Sequence, residues 1–252
     1  MTATPAPATP APATAVVTGA GRGFGRAVAA ALVAEGHRVL GIARTRADLE
    51  AVRDELGAGF VPVVGDATDE ALAERLVREE RPALLVLNAG ARPLLAALHE
   101  QSWESFAVNW NTDTRQAFAW TRAALRAPLV PGSVVVEMSS GAALKGSPLS
   151  GGYAGANAAI RTIGDYAAQE SARAGLGIRF VTLLPQLTPT GVGAEAVDGY
   201  AARAGLDREA YLAGMQPLLT PELVAKAVLQ VAADPDSAAE YVVTGAGLKP
   251  LG

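Results

Sequence analysis

Residues 14–25 read Thr14-Ala15-Val16-Val17-Thr18-Gly19-Ala20-Gly21-Arg22-Gly23-Phe24-Gly25. An apolar run, Ala15-Val16-Val17, enters a turn holding four glycines, and an Ala-rich stretch with helical character leaves it. A strand that turns directly into a helix leaves unpaired N–H groups and the positive end of the helix dipole at the turn. Side chains there would keep a pyrophosphate from the backbone, so glycines are the residues such a site needs. A second apolar run follows at 38–43, which completes the strand–turn–helix–strand context the pattern requires. The stretch predicts a dinucleotide site lined by Gly19, Gly21, Arg22, Gly23, Phe24 and Gly25; a tight turn without a ligand is the alternative.

The rhythm continues outward from this unit. Strands are expected at 14–18, 38–43, 60–64, 83–88, 133–139, 178–184 and 240–244. These runs are rich in Val, Leu and Ile with little alternation, as when helices cover both faces of a parallel sheet. Helices are expected at 23–35, 69–79, 103–126, 153–174 and 221–233. Gly36 suits the position just past a helix end, Thr68 an N-cap, and Pro221 a first helical turn. Alternating strands and helices predict an α/β fold, a three-layer doubly wound parallel sheet of the Rossmann type. One domain is expected over 14–252, after an Ala/Pro/Thr tail at 1–13. Residues 187–219 break the rhythm, with glycines at 191, 193, 199 and 214 and a helix expected near 198–212. They form either a lid over substrate or a plain surface excursion.

Composition narrows the function. The chain has 252 residues, half of them hydrophobic, enough for one sizeable core. The net charge of −4 carries no basic block, which argues against nucleic acid as a partner. With no cysteine, thiolate chemistry and disulfides are excluded. His37 and His99 are the only imidazoles, so no histidine-rich metal site is expected. No apolar run reaches the roughly 18 residues of a membrane span, and the cytoplasm is the expected compartment.

Further motifs follow in order along the chain. Asp66 and Ala67 follow the third strand, Asn88-Ala89-Gly90 follows the fourth, Ser139-Ser140 ends the fifth, Tyr153 comes thirteen residues after Ser140, and Pro185 ends the sixth. Together with the spacing from Gly19 through Gly23 to Gly25, these resemble the short-chain dehydrogenase/reductase family over nearly the whole chain. The resemblance implies that Asp66 contacts an adenine and that Ser140 and Tyr153 handle a carbonyl. It also implies that Thr188 or Thr190 lies near the carboxamide and phosphates, with counting from Pro185 favouring Thr190. The second strand ends Ala43-Arg44-Thr45, with no acid to bind ribose hydroxyls as an NAD site would. Arg22 and Arg44 instead imply a clamp on a 2′-phosphate, hence NADP(H).

One family position departs. Four residues after Tyr153, where the family carries a lysine that lowers the tyrosine pKa, this chain has Asn157. Asparagine can hydrogen-bond a ribose hydroxyl but supplies no charge. Lys145 is the nearest basic alternative. The family's active-site asparagine falls at Asn109, Asn111 or Asp113, and an ungapped count lands on Asp113. Three readings stay open: an NADP(H)-dependent oxidoreductase with an altered proton relay, natural or engineered; a non-redox enzyme for cyclisation, dehydration or isomerisation; and a sensor of NADP(H) or a metabolite. The substrate is expected to be a small, mostly apolar molecule. By analogy with the family, the chain associates as a homodimer or homotetramer through its long helices.

Overall fold

The computed structural model describes residues 13–251; of the tail expected at 1–13, residues 1–12 lie outside the described residues. The strands are β1 (Thr14–Thr18), β2 (Arg38–Ala43), β3 (Phe60–Val64), β4 (Leu84–Leu87), β5 (Val134–Met138), β6 (Arg179–Pro185), β7 (Glu240–Thr244) and β8 (Gly247–Pro250). They form one sheet in the order β3-β2-β1-β4-β5-β6-β7-β8, parallel throughout except for β8. β4 and β5 are buried along their whole length, which explains why every residue of β4 and all but Glu137 of β5 are apolar.

The helices are α1 (Gly23–Ala34), α2 (Arg46–Leu56), α3 (Glu70–Glu80), α4 (Trp103–Phe106), α5 (Arg115–Arg126), α6 (Ala142–Lys145), α7 (Gly151–Arg173), α8 (Val192–Ala204), α9 (Arg208–Ala213) and α10 (Pro221–Ala233). One core joins α1, α2 and α10 to one sheet face through Val28, Leu32, Leu49, Val224 and Val228. A second joins α3 and α5 to the other face around Trp120, Leu72, Leu76 and Leu85. Each fully buried side chain of this size contributes about 1.5–3 kcal/mol. The end of the Phe60 ring rests on Gly41, where a Cβ would come within 2.2 Å of it, so the glycine inside β2 is the space for that ring.

The order of strand addition reverses about β1. Val16 pairs with Leu40 of β2 on one side and Leu85 of β4 on the other, so successive crossovers leave toward opposite edges. The crevice this opens at the carboxyl ends of β1 and β4 is where folds of this kind bind ligands.

The structure refines several expectations. Helix α1 closes as Gly36 suggested: Gly36 takes φ +84°, its N–H donates to Val33 O, and that of His37 donates to Leu32 O. The cap of α3 is Asp69, not Thr68; Asp69 Oδ1 accepts from the N–H groups of Ala71 and Leu72 at 2.9 and 3.3 Å. Helix α2 was not anticipated, because only Leu49 and Val52 of its residues are buried and the apolar signal is thin. The hairpin to β8 was also missed. The helix expected at 198–212 starts earlier, at Val192, and breaks where Gly205 adopts φ +69° and Asp207 caps α9.

The continuous helix expected at 103–126 is the main correction. It consists of α4, a π-helical turn at Trp110–Thr114, and α5. Close packing on α7 accompanies the break: a Cβ on Gly152 would stand 2.0 Å from Phe106 O, and one on Gly155 would stand 3.2 Å from the Trp110 ring. The chain changes its helical pitch as it passes this neighbour.

Candidate active site

The glycine turn is a shaped cradle. Gly19 and Gly23 take φ +69° and +56°, which side-chain-bearing residues rarely adopt. A Cβ on Gly25 would lie 2.2 Å from Gly19 O, so that glycine lets α1 close onto the turn. A Cβ on Gly23 would meet nothing, leaving its side of the turn open. The N-cap of α1, Arg22, makes no side-chain cap bond, so the first N–H groups of the helix remain available to an anion.

Thr18 ties this turn to β4. Its hydroxyl accepts from the N–H groups of Asn88 and Ala89, at 2.8 and 3.0 Å, and donates to Gln116 Oε1 at 3.1 Å. Asn88 Nδ2 reaches back to Thr18 O at 3.1 Å. Asn88-Ala89-Gly90 is thereby fixed directly against Gly19, where a Cβ would stand 3.0 Å from Ala89 Cα. Neither Thr18 nor Gln116 was singled out in the sequence.

Arg22 and Arg44 are both exposed beside the turn, and neither joins an ion pair among the described residues. Asp66 accepts from the N–H and hydroxyl of Thr68, both at 2.8 Å. These bonds, helped by Arg44 and Arg115, hold its carboxyl below the usual carboxylate range despite some burial. Ala67 O accepts from the Trp120 indole at 2.9 Å, which anchors the segment to the core. Asp48, at the start of α2, lies against Gly21, an acid near the cradle that the sequence did not flag. The open backbone at Gly23, the unpaired helix N-terminus and the two free guanidinium groups fit a dinucleotide.

Deeper along β4, the π-helical turn directs Asn109 and Asp113 inward at 1% and 5% exposure, while Asn111 is exposed. Asp113 Oδ1 accepts from Ala91 N–H at 2.7 Å, and Oδ2 accepts from Asn109 Nδ2 at 3.0 Å. Asn109 Nδ2 also donates to Ala91 O at 2.9 Å. A Cβ on Gly90 would press on all three carboxyl atoms at 3.2 Å, so Gly90 provides the seat for Asp113. Burial pushes the Asp113 carboxyl up to about 7, against the opposing pull of the hydrogen bonds from Ala91 and Asn109.

Ser140 follows β5, and Tyr153 and Asn157 lie on α7. Ser139 Oγ donates to Asn157 O at 2.9 Å, pinning α7 to the end of β5. Asn157 is buried, and its amide nitrogen donates to Tyr153 O at 2.9 Å, one turn back along its own helix. Crowding around the Tyr153 hydroxyl pushes it up to about 12. The polar side chains of Ser140 and Asn157 hold it down, while Asp113 and Tyr200 raise it further. No cation is among the groups acting on Tyr153. Lys145, raised as an alternative from the sequence, is exposed at the end of α6.

The segment after β6 crosses above this group. Tyr200 on α8 hydrogen-bonds Ser147, and its hydroxyl lies 3.3 Å from Ser150 Oγ. Ser147 and Ser150 are themselves joined at 2.7 Å. Gly199 packs on Leu149, and Glu195 pairs with Arg92 of the β4 loop at 2.5 Å. Thr188 is buried, with its hydroxyl donating to Leu219 O at 3.0 Å. Thr190 is exposed, which leaves it the freer of the two expected threonines. The Tyr200–Ser147–Ser150 cluster had no signal in the sequence beyond the glycine-rich excursion itself.

Residues 13–201 match the short chain dehydrogenase family. Among curated relatives, L-xylulose reductase of Bos taurus is 30% identical over 196 residues, covering 77% of this chain and 80% of that protein. The 3-oxoacyl-(acyl-carrier-protein) reductase FabG of Escherichia coli (strain K12) is 30% identical over 182 residues, covering 66% and 70%. Among solved structures, levodione reductase superposes with a TM-score of 0.80 at 22% identity, covering 92% of this chain and 96% of that one. The chain belongs to the short chain dehydrogenase family, whose members use NAD(P)(H). No described helix is long and apolar enough to cross a membrane.

Proposed function

We propose that this protein is an NADP(H)-dependent reductase acting on a carbonyl, or an imine, of a small and mostly apolar molecule. The observation that carries the reading is the polar pairing of Ser140 with Tyr153 in a chain that also holds a glycine cradle with two arginines joining no ion pair among the described residues. Arg22 and Arg44 bind the 2′-phosphate, and Asp66 takes the adenine edge. Phe24, Ala67, Asn88, Ala89, Gly90, Pro185 and Thr190 line the rest of the cofactor's path, with Thr188 supporting Thr190. When bound, the dinucleotide supplies or accepts hydride.

The chain's own residues handle orientation and protons. The Ser140 hydroxyl donates to the substrate oxygen and holds it toward Tyr153. The Tyr153 hydroxyl gives that oxygen its proton as negative charge develops there. A phenol held up to about 12 keeps its proton at neutral pH, where ionising it would cost about 7 kcal/mol. Such a group serves as an acid and poorly as a base, so the working direction is reduction. Asn157 stands where the family's lysine would be, and with its amide nitrogen bonded to Tyr153 O it leaves the phenol without a cationic partner. Helix α8 acts as a lid held by Tyr200 and by the Arg92–Glu195 pair. The cytoplasm is the proposed compartment, and a homodimer or homotetramer the proposed assembly.

The missing cation also favours a second reading, in which Ser140 and Tyr153 act as hydrogen-bond donors in a non-redox rearrangement. Incubating the protein with NADPH and a panel of ketones, aldehydes and imines separates the two. Oxidation of NADPH with formation of alcohol or amine is expected, faster in Asn157→Lys. If neither protein consumes NADPH with any compound, the redox reading fails.

A further inference from the structure

The buried carboxyl of Asp113 has no place in a mechanism built from Ser140 and Tyr153 alone. It sits in the π-helical turn, on a glycine seat, at the inner end of the site. Helix α7, which carries Tyr153, packs along the same π-helical turn: Thr114 Oγ1 donates to Ala156 O at 3.1 Å, and Trp110 lies on Gly155. The carboxyl and the phenol therefore lie on two elements packed directly against each other, near enough for a charge on Asp113 to bear on the phenol.

We propose that Asp113 is the proton-holding partner of Tyr153, returning a proton to the tyrosine after its hydroxyl has protonated a substrate oxygen. This rests on the reductase reading above. First, the Tyr153 O–H bond breaks and a new O–H bond forms on the substrate oxygen, leaving a phenolate. Next, the Asp113 carboxyl O–H bond breaks and the proton reaches the phenolate, leaving a carboxylate that recovers its proton from solvent. No electrons are exchanged in either transfer. No direct hydrogen bond joins the two groups among the described residues, so in this proposal the proton passes between them through solvent admitted to the site.

Charge explains why the pair suits this work. With no cation acting on Tyr153, a phenolate and an Asp113 carboxylate together would be two like charges in a desolvated pocket. Passing the proton relocates one negative charge rather than creating a second. The groups around Asp113 do not compensate for it. Asn109 and the Ala91 N–H are neutral donors, Tyr153 on α7 and Tyr200 on α8 can supply no positive charge, Arg92 on the β4 loop is exposed and paired with Glu195, and Arg115 is exposed on α5. Burial keeps the carboxyl able to hold a proton near neutral pH, which an ordinary surface aspartate would have lost.

The test needs no known substrate. Tyr153 is one of five tyrosines, so its ring Cζ signal in protein labelled with ¹³C-tyrosine can be assigned by its loss in Tyr153→Phe. In the unaltered protein that signal should show a small step near neutral pH as Asp113 ionises, well before the phenol itself titrates. In Asp113→Asn, which keeps an acceptor for the Ala91 N–H, the step should vanish and the phenol should titrate at lower pH. A step absent from the unaltered protein overturns the proposal, even where Asp113→Asn does not fold. So does a step that survives in Asp113→Asn.

Kinetics supply a second arm once a reducible carbonyl is found. The rate of reduction should fall as pH rises through the step seen by NMR. Asp113→Asn should lose that dependence and about tenfold in kcat, with little change in KM. An unchanged profile means that Asp113 only braces the β4 loop, and the proposal falls. A chain that turns over no carbonyl, yet shows the NMR step, loses the reductase reading while keeping the coupling of the two side chains.

Discussion

Replacing Glu137 with glutamine should make this protein far more resistant to alkaline conditions. Glu137 lies in the middle of β5 and is fully buried. Thr121 donates to Oε1 at 2.9 Å, but Oε2 has no hydrogen-bond partner. It faces Gly164 of α7, where a Cβ would stand 2.3 Å away, and the Thr182 hydroxyl lies nearby without completing a bond. Burial pushes the carboxyl up to about 8 from 4.5, outweighing the help from both threonines. A protonated Oε2 would be a donor aimed at Thr182, which accounts for the vacant partnership.

The sign follows from linkage. Between pH 4.5 and 8 the folded protein holds a proton on Glu137 that the unfolded chain has released. Stability therefore falls as pH rises through this window. The difference between the two pKa values makes the loss from pH 5 to pH 9 about 4 kcal/mol for this group alone. Glutamine keeps the acceptor for Thr121 and offers Thr182 a permanent N–H donor, without titrating. Asp113 and Tyr153 add their own pH dependence, but equally to both proteins. Urea unfolding at pH 5, 7 and 9 should therefore show Glu137→Gln gaining on the parent by about 4 kcal/mol across the range. Parallel stability profiles for the two proteins would refute a buried, neutral Glu137.

Two further outcomes are expected. Arg44→Ala should weaken NADPH binding about 30-fold, the equivalent of one charge-assisted contact of about 2 kcal/mol, and leave NADH binding nearly untouched; equal losses for both nucleotides, measured by titration calorimetry, would show that Arg44 does not read the 2′-phosphate. Tyr200→Phe removes the bonds to Ser147 and Ser150, worth about 1 kcal/mol net, so amide exchange in α8 should quicken about fivefold while α10 stays unchanged.

The seven parallel strands were legible because each is built on a short run dominated by Val, Leu and Ile, the mark that burial on both faces leaves most fully in β4 and β5. The glycine turn was legible for an equally local reason: positive φ and close backbone approach at Gly19 and Gly25 exclude side chains at those positions themselves. The family motifs could be placed along the chain for the same cause, since each is a few contiguous residues. Helix α2 went unseen because its buried face amounts to little more than Leu49 and Val52.

What only the tertiary structure decided involves residues remote from one another. Among Asn109, Asn111 and Asp113, a count along the chain could not say which turn inward. That choice depends on the pitch of the π-helical turn, and the pitch goes with packing against Gly152 and Gly155 more than 30 residues on. The Tyr200–Ser147–Ser150 cluster likewise joins segments some 50 residues apart. The proton on Glu137 and the high phenol of Tyr153 follow from desolvation, a property of everything packed around a group rather than of its neighbours in sequence. Local backbone geometry is written residue by residue; the charge state of a buried side chain exists only once the chain has closed around it.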